Sequence, residues 1–127
     1  NVKNICARIK GYLGCPDIIV NAKKETMSHG YFRNYYGRKL SCENSFVNYY
    51  FQSTGVDVSL SCFRDFILKM KNIGADIVPI FVIHDALVFE IDNSDIAKLE
   101  EVKDYGLNAH GFDNQFPVKF ENFGCND

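Results

Sequence analysis

The sequence predicts an α+β fold in which helices pack on an antiparallel sheet, and three observations predict it. Residues 77–83 and 86–91 are two apolar, β-prone runs separated by the polar pair His84–Asp85, the pattern of two strands with a tight connection. Upstream, Val56, Leu60, Phe63, Ile67 and Met70 recur at alternating steps of four and three, the period of an amphipathic helix. Downstream, the cap-type residues Asp92, Asn93 and Ser94 precede another helical pattern.

Taken in order, residues 2–12 carry a weak helical pattern through Val2, Ile5 and Ile9, interrupted by Gly11, Gly14 and Pro16. A second helix is predicted over 17–28, with Pro16 just before its start and Gly30 just past its end. Residues 31–40 are aromatic and basic around Gly37, which predicts a short hairpin or extended loop. The longest helix is predicted over 43–73, closed by Gly74, with the apolar stripe facing the sheet. The strand over 77–83 is apolar throughout and is expected to be buried on both faces. Pro79 cannot donate a ladder hydrogen bond, so it is expected to be unpaired or at a bulge. A helix over about 95–105 presents Ile96, Leu99 and Val102, and 117–122 is the last predicted strand. The last five elements read αββαβ. One strand added in front would give βαββαβ, so the expected architecture is a ferredoxin-like split sheet lacking its first strand. A missing strand leaves an exposed sheet edge, which invites self-association.

A chain of 127 residues is expected to form one domain with one core. Hydrophobic content of 46% and charged content of 24% are ordinary for a globular protein. No apolar run reaches the length of a membrane span, and no secretory signal is visible. The five cysteines (Cys6, Cys15, Cys42, Cys62, Cys125) form no CxxC pair, and read as reduced thiols of a cytosolic protein. Net charge is −2 but unevenly placed: residues 1–40 hold eight basic against two acidic side chains, and the remainder six against fourteen. A basic segment beside an acidic body suits phosphate contact on one side and metal binding on the other; it equally describes a solvated helix face. The chain begins with Asn1 rather than Met, which is expected of a fragment, an incomplete reading frame or a removed tag.

Asp85 is the first candidate for chemistry, because a carboxylate at a rigid hairpin tip is placed to hold a hard cation such as Mg2+; Asp is equally common as a plain turn residue. Asn44, Asn48 and Gln52 follow at steps of four, so their carboxamides are expected to share one stripe, beside the apolar one. Carboxamides both donate and accept, which suits contact with base edges or sugars in a minor groove. A polar helix face is the plainer account. Tyr35 and Tyr36, between Arg33 and Arg38, could stack on bases, although aromatics in a short hairpin are more often core.

These residues together resemble the family-A (DNA polymerase I-like) DNA polymerases. Residues 81–91, Phe-Val-Ile-His-Asp-Ala-Leu-Val-Phe-Glu-Ile, resemble that family's palm hairpin, with Ala86 where the family has Glu. Residues 48–57, Asn-Tyr-Tyr-Phe-Gln-Ser-Thr-Gly-Val-Asp, look like its Asn-x-x-x-Gln-Gly-Thr-Ala-Ala-Asp signature. Residues 29–39 resemble its Gly-Tyr-Val…Gly-Arg-Arg segment, and 116–122 its terminal strand. The resemblance covers nearly the whole chain, most weakly over 1–28.

It implies that Asp85 is a catalytic metal ligand and that His84 sits near the primer terminus. Asn48 and Gln52 would contact the minor-groove side of the terminal base pairs, and Arg38 and Lys39 the backbone phosphates, which position without specifying. Asn44 stands where the family often has a DNA-contacting Arg. The implied cofactor is Mg2+ in a two-metal site, and the implied partners are a DNA primer-template and deoxynucleoside triphosphates. The implied compartment is the cytoplasm of a bacterial or phage-infected cell. Nothing matches the family's Asp-Tyr-Ser-x-Ile-Glu motif, which carries its first catalytic Asp, or its triphosphate-gripping fingers helix. Residues 1–42 therefore read as the tail of the fingers with a short basic hairpin, and 43–127 as palm. The chain alone is expected to be inactive. The alternative reading is a non-catalytic ferredoxin-like nucleic-acid-binding module.

Overall fold

Helical periodicity and its stop signals organise the first half of the chain in the computed structural model, which describes residues 2–124. Helix α1 is Val2–Tyr12 and α2 is Cys15–His29, with Pro16 in its first turn. Gly30 ends α2 in the left-handed conformation and donates its N–H to the Thr26 carbonyl oxygen, as a C-terminal cap should. A small antiparallel pair follows, β1 (Phe32–Arg33) with β2 (Lys39–Leu40), in register Phe32 to Leu40 and Arg33 to Lys39. The longest helix, α3, is Phe46–Asn72. The hairpin of β3 (Ile77–Ile83) and β4 (Ala86–Ile91) comes next. A single 3-10 turn (Asn93–Asp95) then leads to α4 (Lys98–Tyr105), and β5 (Leu107–Asn108) pairs with β6 (Gln115–Phe116).

The α+β class holds, and all three strand pairs are antiparallel. The sheet is smaller than expected, because each pair stands alone among the described residues. The predicted strand 117–122 joins no ladder. Its alternation nevertheless survives: Val118 and Phe120 pack on a core while Pro117, Lys119 and Glu121 are exposed. Period-two patterning reports which side chains are buried, and pairing is a separate matter.

Two compact units divide the chain, residues 1–55 and 56–127, where length predicts one core. The boundary falls within α3, whereas the resemblance divides the sequence at 42/43. In the first unit, Ala22, Phe32 and Phe46 are buried, with Leu40, Cys42 and Tyr50 against them. Phe32 is 1% exposed and meets Phe46 edge-on, with ring centres 5.4 Å apart. In the second unit the core is Cys62, Phe66, Met70, Ala75, Val102, Leu107 and Ala109. Phe66 sits against Phe89 at 5.0 Å and Phe120 at 5.5 Å between ring centres.

That core corrects the predicted stripe. Ile67 and Met70 of that stripe do pack in the core, but Val56 and Leu60 are exposed and Phe63 is half-buried; the row at the core runs from half-buried Val58 through buried Cys62, Phe66 and Met70. Steps of four and three fit several phases of a helix this rich in apolar residues, so the period is informative and the phase is not. The expectation that β3 is buried on both faces also fails: Val78 through Ile83 are all exposed. Only Ile77 of β3, with Leu87, Phe89 and Ile91 of β4, packs on the core.

Polar clasps close the second unit. Lys98 donates to Asp95 at 2.7 Å and to the Gly74 carbonyl oxygen at 2.9 Å, joining the end of α3 to the start of α4. Asp65 accepts from the Asn108 N–H at 2.8 Å and pairs with Lys69 at 2.8 Å, while Lys69 also donates to the Gly106 carbonyl oxygen at 2.9 Å. Gly106 is required there: its φ is +67°, and a Cβ would lie 2.9 Å from the Phe116 carbonyl oxygen.

Candidate functional site

The β3–β4 hairpin forms because β-branched and aromatic residues line both strands and only two residues separate them. The register pairs Ile83 with Ala86, leaving His84 and Asp85 as the two turn residues. His84 has φ +52°, and Asp85 does not share the positive φ. A positive φ at the first central residue alone follows the sign pattern of the II′ hairpin turn, a position Gly normally fills. Both side chains are exposed. Among the described residues, Asp85 makes no hydrogen bond or ion pair.

Oxygen donors are what Mg2+ takes, so Asp85 is of the right chemistry. Its number is insufficient. Among the described residues no group of three or more His, Cys, Asp or Glu side chains could hold a metal ion. Glu90 lies in β4 opposite Val78, not at the tip. The described residues therefore do not complete a metal site.

The basic hairpin is built around Asn34, which sequence reasoning missed. Asn34 is 5% exposed. Its Oδ1 accepts from the N–H groups of Tyr36 at 3.0 Å and Arg38 at 2.9 Å, and its Nδ2 donates to Ser53 Oγ at 3.1 Å. Tyr35 N–H reaches Thr54 Oγ1 at 3.4 Å, and Ser53 and Thr54 both donate to the Tyr50 carbonyl oxygen. The Asn-x-x-Gly spacing of Asn34 and Gly37 was the available signal, since Asn folds such turns onto its own backbone. The result is that the segment bearing Arg38 and Lys39 is pinned to α3. Lys39 Nζ stands 4.6 Å from the ring centre of Tyr31, with the Arg33 guanidinium 5.2 Å from the same ring. Tyr35 is exposed and Tyr36 half-buried, so the pair is not core. His29, without an evident partner in sequence, stacks on Tyr31 at 5.8 Å.

Asn48 and Gln52 lie one turn apart on α3, both exposed. They sit two residues off the buried Phe46 and half-buried Tyr50, about 200° around the helix. Their row is thus roughly opposite the packed one, not beside it, and continues into exposed Val56 and Leu60. Asn44 does not share it: α3 begins at Phe46, after Ser45 with φ +60°. Asn44 instead lines an apolar cavity of about 450 Å3 with Cys15, Ile19, Lys23 and Phe46. Arg38, Lys39, Asn48 and Gln52 belong to the first unit, and His84 and Asp85 to the second.

Cys6, Cys15, Cys42 and Cys62 are free thiols, while Cys125 lies outside the described residues. Burial raises the pKa of Cys42. Burial, then the neighbouring Asp65, raises that of Cys62 against a lowering by Lys69. Thiols so placed are poor nucleophiles. No helix among the described residues is long and apolar enough to cross a membrane. Comparison with protein families, with curated proteins and with solved structures returned no match.

Proposed function

We propose that this chain is the C-terminal palm part of a DNA-directed DNA polymerase, an enzyme of template-directed nucleotidyl transfer. The observation that carries the reading is the His84–Asp85 tip: two residues, both exposed, on a hairpin whose backbone is strained at His84. Strain at a turn is retained where the residue type matters more than the backbone preference. The exposed carboxamides of Asn48 and Gln52, and the basic hairpin clamped by Asn34 onto the same helix, support contact with duplex DNA.

The work divides among these groups. Arg38 and Lys39 attract backbone phosphate. Asn48 and Gln52 offer donors and acceptors to the minor-groove edge, where the A·T and G·C patterns overlap, so contact there tolerates any sequence. Asp85 contributes one fixed anion. Mg2+, when held by a complete set of carboxylates, would neutralise charge on the reacting phosphate. The missing donors and the triphosphate-binding helix must come from outside these 127 residues, so the chain alone does not extend a primer.

One observation favours a non-catalytic nucleic-acid-binding module: Phe81 is exposed on its strand, as a base-stacking sheet requires. Residues 77–91 contain no Lys or Arg to accompany it, so that reading is the weaker.

The test is fluorescence anisotropy of the 127-residue chain on a primer-template duplex across a salt series. Arg38→Ala and Lys39→Ala should each reduce the salt slope by about one, and Asn48→Ala with Gln52→Ala should weaken binding without changing it. Absence of duplex binding at low salt would overturn the proposal. In the complete enzyme, Asp85→Ala should lower single-turnover incorporation by several orders of magnitude, while Ala86→Glu should be tolerated. Near-normal turnover by Asp85→Ala would reduce the tip to a plain turn.

A further inference from the structure

Helix α1 carries an apolar stripe edged with cations, and the protein does not bury it. At about 100° per residue, Val2, Ile5, Cys6, Ile9 and Tyr12 fall within about 120° of the helix circumference. Leu13 continues the stripe, because its N–H reaches the Ile9 carbonyl oxygen at 3.0 Å. Lys3 and Lys10 border the stripe on one side and Arg8 on the other, while Asn4, Ala7 and Gly11 take the back. No residue of α1 is buried. Val2, Ile5, Ile9, Tyr12 and Leu13 keep 74%, 57%, 53%, 92% and 50% of their surface exposed. Residues 1–16 contain no acidic side chain, and the basic edge reaches α2, where Lys23 lines the same cavity as Lys10.

We propose that α1 docks flat on an anionic membrane surface, with its apolar stripe at the acyl boundary and its cations among the lipid headgroups. Three arguments select that occupant. At 11 residues the helix is far shorter than the about 20 a membrane span needs, and a helix with an apolar face and a cationic polar face lies in the plane of the interface. The charge pattern matches headgroup phosphates and opposes a second copy: stripe against stripe would set Lys3, Arg8 and Lys10 against their equivalents, with no carboxylate in residues 1–16 to pair them. A nucleic-acid backbone would take the cations but leave the stripe in water, since its contacts are to phosphate.

The side chains suit the depth. Lys and Arg lay their stems along apolar surface while the charged head stays with polar groups, so cations on both edges of the stripe permit the middle to sink. Tyr12 pairs an apolar ring with a polar hydroxyl, the combination found at the headgroup level. Salt should weaken the docking by screening its electrostatic part. This inference stands independently of any action on DNA.

The experiment is co-sedimentation of the 127-residue chain with vesicles of phosphatidylcholine, alone or mixed with phosphatidylserine, at low and at half-molar salt. Partition onto the phosphatidylserine vesicles is expected, weaker in high salt and much weaker on phosphatidylcholine alone. Ile5→Asp and Ile9→Asp, each checked for folding by circular dichroism, should each lower the partition coefficient by about tenfold or more, because they put a like charge in the buried stripe. Lys10→Ala should lower it about fivefold, the share of one basic side chain at an anionic surface. Val78→Ser, an exposed apolar position on β3, should leave it unchanged. Val2→Asp replaces either stripe variant that fails to fold. Absence of partition onto phosphatidylserine vesicles overturns the proposal, as does partition indifferent to the folded stripe variants or lost in Val78→Ser. Equal partition onto both vesicle types overturns the anionic surface. Self-association without vesicles, abolished by Ile5→Asp, overturns the choice of occupant.

Discussion

Replacing Phe66 by Ala should cost about 3–5 kcal/mol of stability, the range for truncating a buried Phe. Phe66 is 3% exposed and lies within 5.5 Å of two other aromatic ring centres. Truncation removes its transfer free energy, forfeits two aromatic contacts of about 0.5–1.5 kcal/mol each beyond area, and leaves a cavity. Collapse into that cavity is opposed from three directions, by α3 itself, by β4 through Phe89 and by the tail through Phe120. Phe63, three residues earlier and half-buried, should lose about 1 kcal/mol on the same change, the central value for a point substitution. The assay is urea unfolding of both variants monitored by far-UV circular dichroism, with the slope checked for constancy. Domains of this kind are stable by only about 5–15 kcal/mol, so the two variants should separate clearly. Equal losses, or a greater loss at Phe63, would refute the assignment of the row at the core to Val58, Cys62, Phe66 and Met70.

Asn34→Ala leaves the Tyr36 and Arg38 N–H groups without their acceptor and should cost about 1–3 kcal/mol, with faster hydrogen exchange at those two amides. His84→Gly relieves a left-handed backbone and should stabilise the chain by about 1 kcal/mol, measured by the same unfolding assay. Asp92 accepts from the Ser94 N–H and hydroxyl, and these bonds hold its carboxyl below the usual value. A depressed folded pKa stabilises above the unfolded value and loses that contribution as pH falls through the folded one. The Ser94 amide resonance should accordingly titrate at a lower pH than an ordinary Asp carboxyl does, and Asp92→Ala should abolish the titration.

Local signals in the sequence determined the helices, the tight hairpin and its tip, because these depend on near neighbours. Pro16, Gly30 and Gly74 mark helix ends through backbone restrictions that act within one turn. His84–Asp85 could be placed at a hairpin tip because two apolar runs separated by two polar residues leave little else. The row of Asn48 and Gln52 was likewise legible, since a step of four is a property of the helix alone. Tertiary structure decided what faces what. The phase of α3 was set by Phe89, Phe120, Val102 and Leu107 arriving from elsewhere in the chain, so Val56 and Leu60 were left outside. Residues 117–122 supplied Val118 and Phe120 to the core without joining a ladder, because burial needs only alternation while pairing needs a free neighbouring edge. Asn34 looked like one loop residue among many until Ser53, nineteen positions away, came within hydrogen-bonding distance. A run of apolar residues in β3 states that burial is favourable; whether a covering layer exists depends on which other surfaces are present to provide one.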